Sequence, residues 1–130
     1  MNENFNLEII SPDNTLIKSE VKQVTIPAFE GLMTILKDHI SIITFLRPGF
    51  IQLETATGKE EFYTEDGTVE FYKNSLLILS STAKNKKDIS NEEINQMLEE
   101  AKKLIKSDSI QDKDKYILSY KINALEELTQ

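Results

Sequence analysis

A β-sandwich followed by an antiparallel α-helical hairpin is the fold class this sequence predicts. It divides into an all-β N-terminal domain over 1–84 and an αα C-terminal domain over 85–130. Three observations carry that expectation. Apolar residues alternate with polar ones at a period of two as far as Ala83. Turn-forming clusters interrupt the alternation at short intervals, as an all-β sandwich or barrel requires. Past Ala83 the apolar residues recur instead at steps of three and four, the spacing of one helix face.

Phe5, Leu7 and Ile9 open the first strand, with one face toward a core and one toward water. Ile51 and Leu53 mark a later strand, and Val69 and Phe71 another. Leu76-Leu77-Ile78-Leu79 is apolar on both faces and predicts a central strand. Turns are predicted at Ser11-Pro12-Asp13-Asn14, Pro27 to Gly31, Arg47-Pro48-Gly49, Thr57-Gly58, Asp66-Gly67 and Lys73-Asn74-Ser75. Asp66-Gly67 is the type I′ hairpin candidate, because glycine tolerates positive φ. Lys84 to Asp88 reads as a polar linker. Ser90 and Glu93 then have the spacing of a capping box, and Ile94, Met97, Leu98, Ala101, Leu104 and Ile105 form one helical stripe. Lys102, Lys103 and Lys106 suit the negative end of that helix. Ser107-Asp108-Ser109 is expected to break it and cap the next, whose stripe is Ile117, Tyr120, Ala124, Leu125 and Leu128. Short isolated helices are marginal in water, so these stripes must pack on each other, on the sandwich or on a partner.

The 130 residues include no cysteine, one histidine (His39) and one arginine (Arg47). That inventory excludes disulfides, zinc–thiolate sites, thiol nucleophiles and any metal site built on two imidazoles. Formal net charge is −7, which disfavours nucleic-acid backbones and anionic lipid. The imbalance lies in 1–83, with 6 basic against 12 acidic residues; 84–130 carries 9 against 10. No basic segment precedes a long apolar run at the N-terminus, and no window nears the length of a membrane span. A soluble, intracellular chain without direct membrane insertion is expected.

Glu30, Asp38 and His39 are the residues on which acid–base or metal chemistry could be built. Neighbours on a strand point to opposite faces, so Asp38 is poorly placed to orient His39, whereas Ser41 could share its face. No G-x-S-x-G elbow is present. A histidine that hydrogen-bonds a turn is the simpler reading. Glu60-Glu61 and Glu65-Asp66 flank a short strand and its turn, and read as a solvated edge rather than a paired-carboxylate site. The four glycines stand far apart, so no phosphate-binding loop exists. These residues predict binding rather than catalysis.

Glu30-Gly31, Ile35, His39, Thr44 and Pro48-Gly49 together resemble the signature region of the epsilon subunit of F-type ATP synthase, E-G-x-x-G-I-x-x-x-H-x-P-x-x-T followed by a P-G turn. Leu7 to Pro12 is similar to that family's first strand. Glu60-Glu61-Phe62 with Gly67, Val69 and Glu70 is similar to its later hairpin, and Thr82-Ala83 closes the sandwich before two helices. The resemblance spans essentially the whole chain. It departs from the pattern at Leu32, Thr34, Lys37-Asp38 and Ser41.

The resemblance implies a non-catalytic central-stalk (rotor) subunit of a proton-translocating ATP synthase. Its sandwich would bind the gamma subunit and the c-subunit ring, coupling ring rotation through gamma to ATP synthesis. Glu30, Gly31, Leu32 and His39 would touch the c ring. The chain would lie peripherally on the cytoplasmic face of the bacterial inner membrane. In some members the hairpin reaches the alpha and beta subunits and inhibits hydrolysis, or binds ATP through [IL]-D-x-x-R-A. Ser90, Glu93 and Ile94 replace that motif's Asp, Arg and Ala, which implies no useful ATP affinity and no cofactor. The last helix carries only Lys113, Lys115 and Lys121 as cations and ends in Glu126-Glu127, which implies weak or absent inhibition. The alternative is a stand-alone β-sandwich ligand- or peptide-binding module; a small hydrolase using His39 is the third reading.

Overall fold

The computed structural model describes residues 3–129, so Met1, Asn2 and Gln130, at the ends of the two expected domains, lie outside the described residues. Its strands are β1 (Phe5–Ile10), β2 (Thr15–Val21), β3 (Gln23–Ala28), β4 (Gly31–Leu36), β5 (Ile42–Leu46), β6 (Gly49–Thr55), β7 (Gly58–Thr64), β8 (Gly67–Tyr72), β9 (Ser75–Leu79) and β10 (Lys84–Asn85). They follow the order β10-β7-β6-β3-β5-β8-β9-β1-β2, with β4 added to β3. All pairs are antiparallel except β1 with β9. β3 and β5 meet only at Ala28 opposite Leu46, and this narrow corner folds the ladder into two facing layers. Lys22 N donates to Glu54 O at 2.7 Å and ties the second layer back to the first.

The alternating apolar positions meet between the layers. Phe5, Leu7, Ile9, Val24, Ile26, Ile51, Leu53, Val69, Phe71 and Ile78 are all buried there. Phe5 and Phe71 pack edge to face with ring centroids 5.5 Å apart. The expected β-sandwich is present.

Two connections differ from the expectation. Lys73 and Asn74 have φ of 46° and 60° between the paired Tyr72 and Ser75, so the two-residue turn with both centres left-handed joins β8 to β9. Asp66-Gly67 is not a hairpin. β7 pairs with β6 and β10, whereas β8 pairs with β5 and β9, so the chain crosses between layers at that point. Gly67 has φ +152° there, and a Cβ would stand 2.6 Å from Leu79 O. The second correction concerns Lys84 to Asp88, which is not a linker. Lys84 and Asn85 pair with Tyr63 and Phe62 on the open edge of β7. Lys86–Asp88 then forms a 3-10 turn, capped by Asn85 Oδ1 accepting from Lys87 N at 3.0 Å.

The helices are α1 (Asn91–Ile105) and α2 (Asp112–Leu128). Ser90 caps α1 as expected, its Oγ accepting from Glu93 N at 3.1 Å. Ser107 to Ser109 breaks the helix but does not cap α2; the N-cap is Gln111, without a side-chain bond. The first stripe holds at Ile94 and Ala101, while Leu104 is exposed. In the second, Leu118, Ala124, Leu125 and Leu128 are buried; Leu118 was absent from the expected stripe, and Ile117 and Tyr120 are only half-buried. Ile94, Ala124, Leu125 and Leu128 form one apolar cluster with Tyr63 and Ile89, and Phe50, Met97 and Leu98 pack against it. The hairpin is therefore docked on the β6–β7 side of the sandwich.

Candidate functional site

The residues first suspected of chemistry do not form one constellation. Glu30 accepts from the buried Thr44 hydroxyl at 3.1 and 3.3 Å, which pins the β3–β4 turn to β5. Gly31 follows with φ +138°, a conformation that favours glycine. Leu32 comes next and is 74% exposed. His39 lies past the other end of β4, roughly 17 Å away at the rise of an extended strand. Its N–H donates to Leu36 O at 3.1 Å, its Nδ1 lies 2.8 Å from Ile40 O, and its ring meets the edge of Phe71 at 6.1 Å. Residues 39–41 are not strand, so the face-sharing expected of His39 and Ser41 does not arise. Asp38, with φ +66°, bonds to Asn74 instead: its N–H donates to Asn74 Oδ1 at 2.7 Å and its Oδ1 accepts from Asn74 Nδ2 at 2.9 Å. The His39 reading as a turn-bonded histidine matches this geometry. Among the described residues no group of three or more His, Asp or Glu stands close enough to hold a metal ion.

The outer face of the second layer is the surface that sequence reasoning missed. Phe45, Thr68, Leu79 and Ile10 stand in register across β5, β8, β9 and β1. Ile43, Glu70, Leu77 and Glu8 form the next row. Ile43 is 79% exposed, Phe45 57% and Leu79 45%. Phe29 joins the first row, its N–H donating to Phe45 O at 3.0 Å. Ile10, Pro12, Phe29, Phe45 and Leu79 line an open groove, and the Ile43 row lies beside it. Exposed apolar side chains gathered on one sheet face, here interrupted by Thr68 and Glu70, mark an interaction surface. Alternation in β5 was the available signal: Ile42-Ile43-Thr44-Phe45-Leu46 is apolar on its outward positions as well.

The docked hairpin adds a third feature. Glu65 was expected on a solvated edge, but it is half-buried between sandwich and hairpin. Its Oε2 accepts from the Tyr63 hydroxyl at 3.1 Å, and its Oε1 lies 3.2 Å from Lys121 Nζ. Burial first, then the Glu65 carboxylate, holds the Tyr63 hydroxyl protonated well above the ordinary phenol range. Asp66 is not merely solvated either: its Oδ1 accepts from Thr82 Oγ1 at 3.1 Å. The Arg47 guanidinium carbon stands 4.0 Å from the Tyr120 ring centroid. At the start of α1 the degenerate motif residues are already engaged. Ser90 and Glu93 bond to one another, Lys84 holds Glu93 Oε2 at 3.0 Å, and Ile94 is buried. The Lys84 hydrogen bond, followed by that from Ser90, lowers the Glu93 pKa.

Residues 4–86 match the sequence model described as ATP synthase, Delta/Epsilon chain, beta-sandwich domain. The chain is 44% identical to the ATP synthase epsilon chain of Pelagibacter ubique over 129 residues, covering 98% of this chain and 99% of that one. It is 36% identical to the ATP synthase epsilon chain of Dichelobacter nodosus over 108 residues, 82% of this chain and 76% of that one. A chain in the cryo-EM structure of the Euglena gracilis mitochondrial ATP synthase, described as OSCP/F1/c-ring, has the same fold. Its TM-score is 0.76 at 21% identity, over 99% of this chain and 81% of that one. A chain of the Tetrahymena thermophila central stalk/c-ring structure matches with a TM-score of 0.62 at 12% identity, over 96% of both. At these identities the two structures speak for the fold alone.

Proposed function

The chain belongs to the ATP synthase epsilon-chain family, and from that premise we propose that it is a non-catalytic central-stalk subunit whose work is contact. The apolar band of Phe29, Ile43, Phe45 and Leu79 carries this reading. An acidic chain that leaves such a band uncovered has a partner surface to bury there, and a β-sheet face can hold it rigidly. The gamma subunit is the occupant we assign to the band. Rotation of the c ring would then pass through gamma to the catalytic subunits, with this chain as a rigid coupling piece.

The c ring is assigned to Glu30, Gly31, Leu32 and His39. Thr44 fixing Glu30, and the exposed Leu32 beside it, support a preformed contact at the β3–β4 turn. His39 stands at the opposite end of β4, so the four residues would make two separate touches rather than one patch. The peripheral position on the cytoplasmic face of the bacterial inner membrane belongs to the same proposal. Among the described residues no helix is long and apolar enough to cross a membrane. The hairpin is assigned no ATP binding, because Ser90, Glu93 and Ile94 are engaged in capping and packing, and weak or absent inhibition of hydrolysis, because α2 ends in Glu126-Glu127. Co-expression with the gamma subunit tests the central claim. Stable co-purification of the two is the expected result, and a folded chain that never associates with gamma would overturn it.

A further inference from the structure

The loop between β4 and β5 is clamped to the β8–β9 turn by two reciprocal hydrogen bonds, across 36 positions of sequence. Asp38 N–H donates to Asn74 Oδ1 at 2.7 Å, and Asp38 Oδ1 accepts from Asn74 Nδ2 at 2.9 Å. Both residues are left-handed, with φ of 66° and 60°. Asp and Asn reach that region through their short polar side chains, whereas glycine reaches it freely. Each end of the clamp is fixed in turn. His39 N–H donates to Leu36 O at 3.1 Å and closes the loop's own turn, while Asn74 O accepts from Asn6 N–H at 3.0 Å and ties the other end to β1.

What the clamp presents is apolar. Ile40 is 77% exposed, and Leu36 and Tyr72 are exposed beside it in the chain segments that meet here. His39 sets its ring against the edge of the buried Phe71 instead. Tyr72 follows Glu70 on the outward side of β8, so the face assigned to gamma continues through it toward the clamp. Ser41 stands one step beyond the Ile42–Phe71 pair, which brings the loop alongside Tyr72.

We propose that Asp38 and Asn74 are a positioning pair, holding residues 38–41 so that Ile40 adds a preformed apolar contact to the gamma-binding face. The inference rests on the gamma reading above. A loop already ordered loses little freedom on docking, so the clamp acts through affinity.

Calorimetric titration of the full chain with gamma, alongside residue-resolved amide exchange, tests the pair. Asn74→Gly deletes both clamp bonds and keeps the β8–β9 turn, since glycine accepts φ 60°. It should weaken gamma binding about tenfold and speed exchange at Asp38 and His39, while Val69 and Ile78 keep wild-type protection. Ile40→Ala should weaken binding about tenfold with exchange unchanged. The double variant should bind within about threefold of the weaker single one, because a freed loop no longer delivers Ile40. Asp38→Gly and Asp38→Ala lose the same side-chain bond, but only glycine takes φ 66° without steric cost. The glycine variant should bind within about threefold of wild type, and the alanine variant should fall toward Asn74→Gly. Unchanged affinity in Asn74→Gly or in Ile40→Ala overturns the positioning role, as do full additivity of the two and unchanged exchange at Asp38 and His39. Wild type that binds no gamma is a different failure: it removes the gamma reading itself, and this inference with it. If Asn74→Gly does not fold, Asp38→Ala decides, and wild-type affinity there overturns the proposal.

Discussion

Replacing both Ile43 and Phe45 by aspartate should abolish gamma binding without unfolding the chain. Their exposures of 79% and 57% mean that neither contributes much to the core. Full burial of such a side chain is worth about 1.5–3 kcal/mol, so each retains roughly 1–2 kcal/mol for a partner to realise. Losing both removes roughly 2–4 kcal/mol of binding energy. Two carboxylates left desolvated in the contact would cost about 1–3 kcal/mol more each if they found no partner. The sum exceeds about 4 kcal/mol, a weakening of at least about a thousandfold. On the folding side, strand preference at an exposed site spans only about 1 kcal/mol. At about 4 °C per kcal/mol for a chain of this length, the two substitutions together should lower the melting temperature by less than about 10 °C. Calorimetric titration with purified gamma, paired with a thermal melt by circular dichroism, measures both quantities. Lys59→Asp, exposed on β7 in the other layer, should bind like wild type and serves as control. A folded double variant that binds gamma within threefold of wild type would refute the assignment of this face.

Three further predictions rest on Gly67, on Tyr63 and on the start of α1. Gly67→Ala places a Cβ 2.6 Å from Leu79 O at φ +152°, and should cost about 2 kcal/mol or more in urea unfolding; an unchanged midpoint would remove the steric account of the layer crossing. Burial and Glu65 raise the Tyr63 pKa in the folded chain above the ordinary phenol value of about 10. The neutral hydroxyl is thus the folded form, and its stabilisation is complete below pH 10. As pH rises further the unfolded chain loses a proton that the folded chain keeps, so stability should fall by at most about 1.4 kcal/mol per pH unit. Tyr63→Phe should lose that slope, and an equal alkaline loss in wild type and variant would sink the argument. Calorimetry of the intact chain with ATP should give no tight binding, whereas micromolar affinity would show that Ser90, Glu93 and Ile94 do not disable the site.

The β-sandwich was legible because one face of most strands is buried within the chain, which imposes a period of two. What pattern could not carry is any contact between residues far apart in sequence. Glu65 beside Asp66 reads as a solvated edge until Lys121, 56 positions later, is brought to it. Arg47 reads as a turn residue until Tyr120 covers it. The linker failed for a related reason: Lys84 and Asn85 are polar, but the unpaired edge of β7 bonds their backbone regardless of side chain. The hairpin was misplaced because Asp-Gly is permissive rather than prescriptive. Glycine served a crossing at Gly67, while Asn74 tolerated the left-handed turn and was fixed there by Asp38.

The run Leu76 to Leu79 shows where periodicity ends. Apolar residues on both faces predicted a central strand, and β9 is central, flanked by β8 and β1. Leu76 and Ile78 are buried in the core, yet Leu79 is 45% exposed and Leu77 only half-buried. The same doubling occurs at Ile43 and Phe45 in β5, across the register from Leu77 and Leu79. Two strands with apolar residues in matching outward rows are costly to solubility unless something covers them. Hydrophobic pattern therefore does not by itself separate rows buried in this chain's core from rows left exposed on its surface. At β5 and β9 the inner rows belong to this chain's core, and the outer rows are the surface on which the gamma-binding test turns.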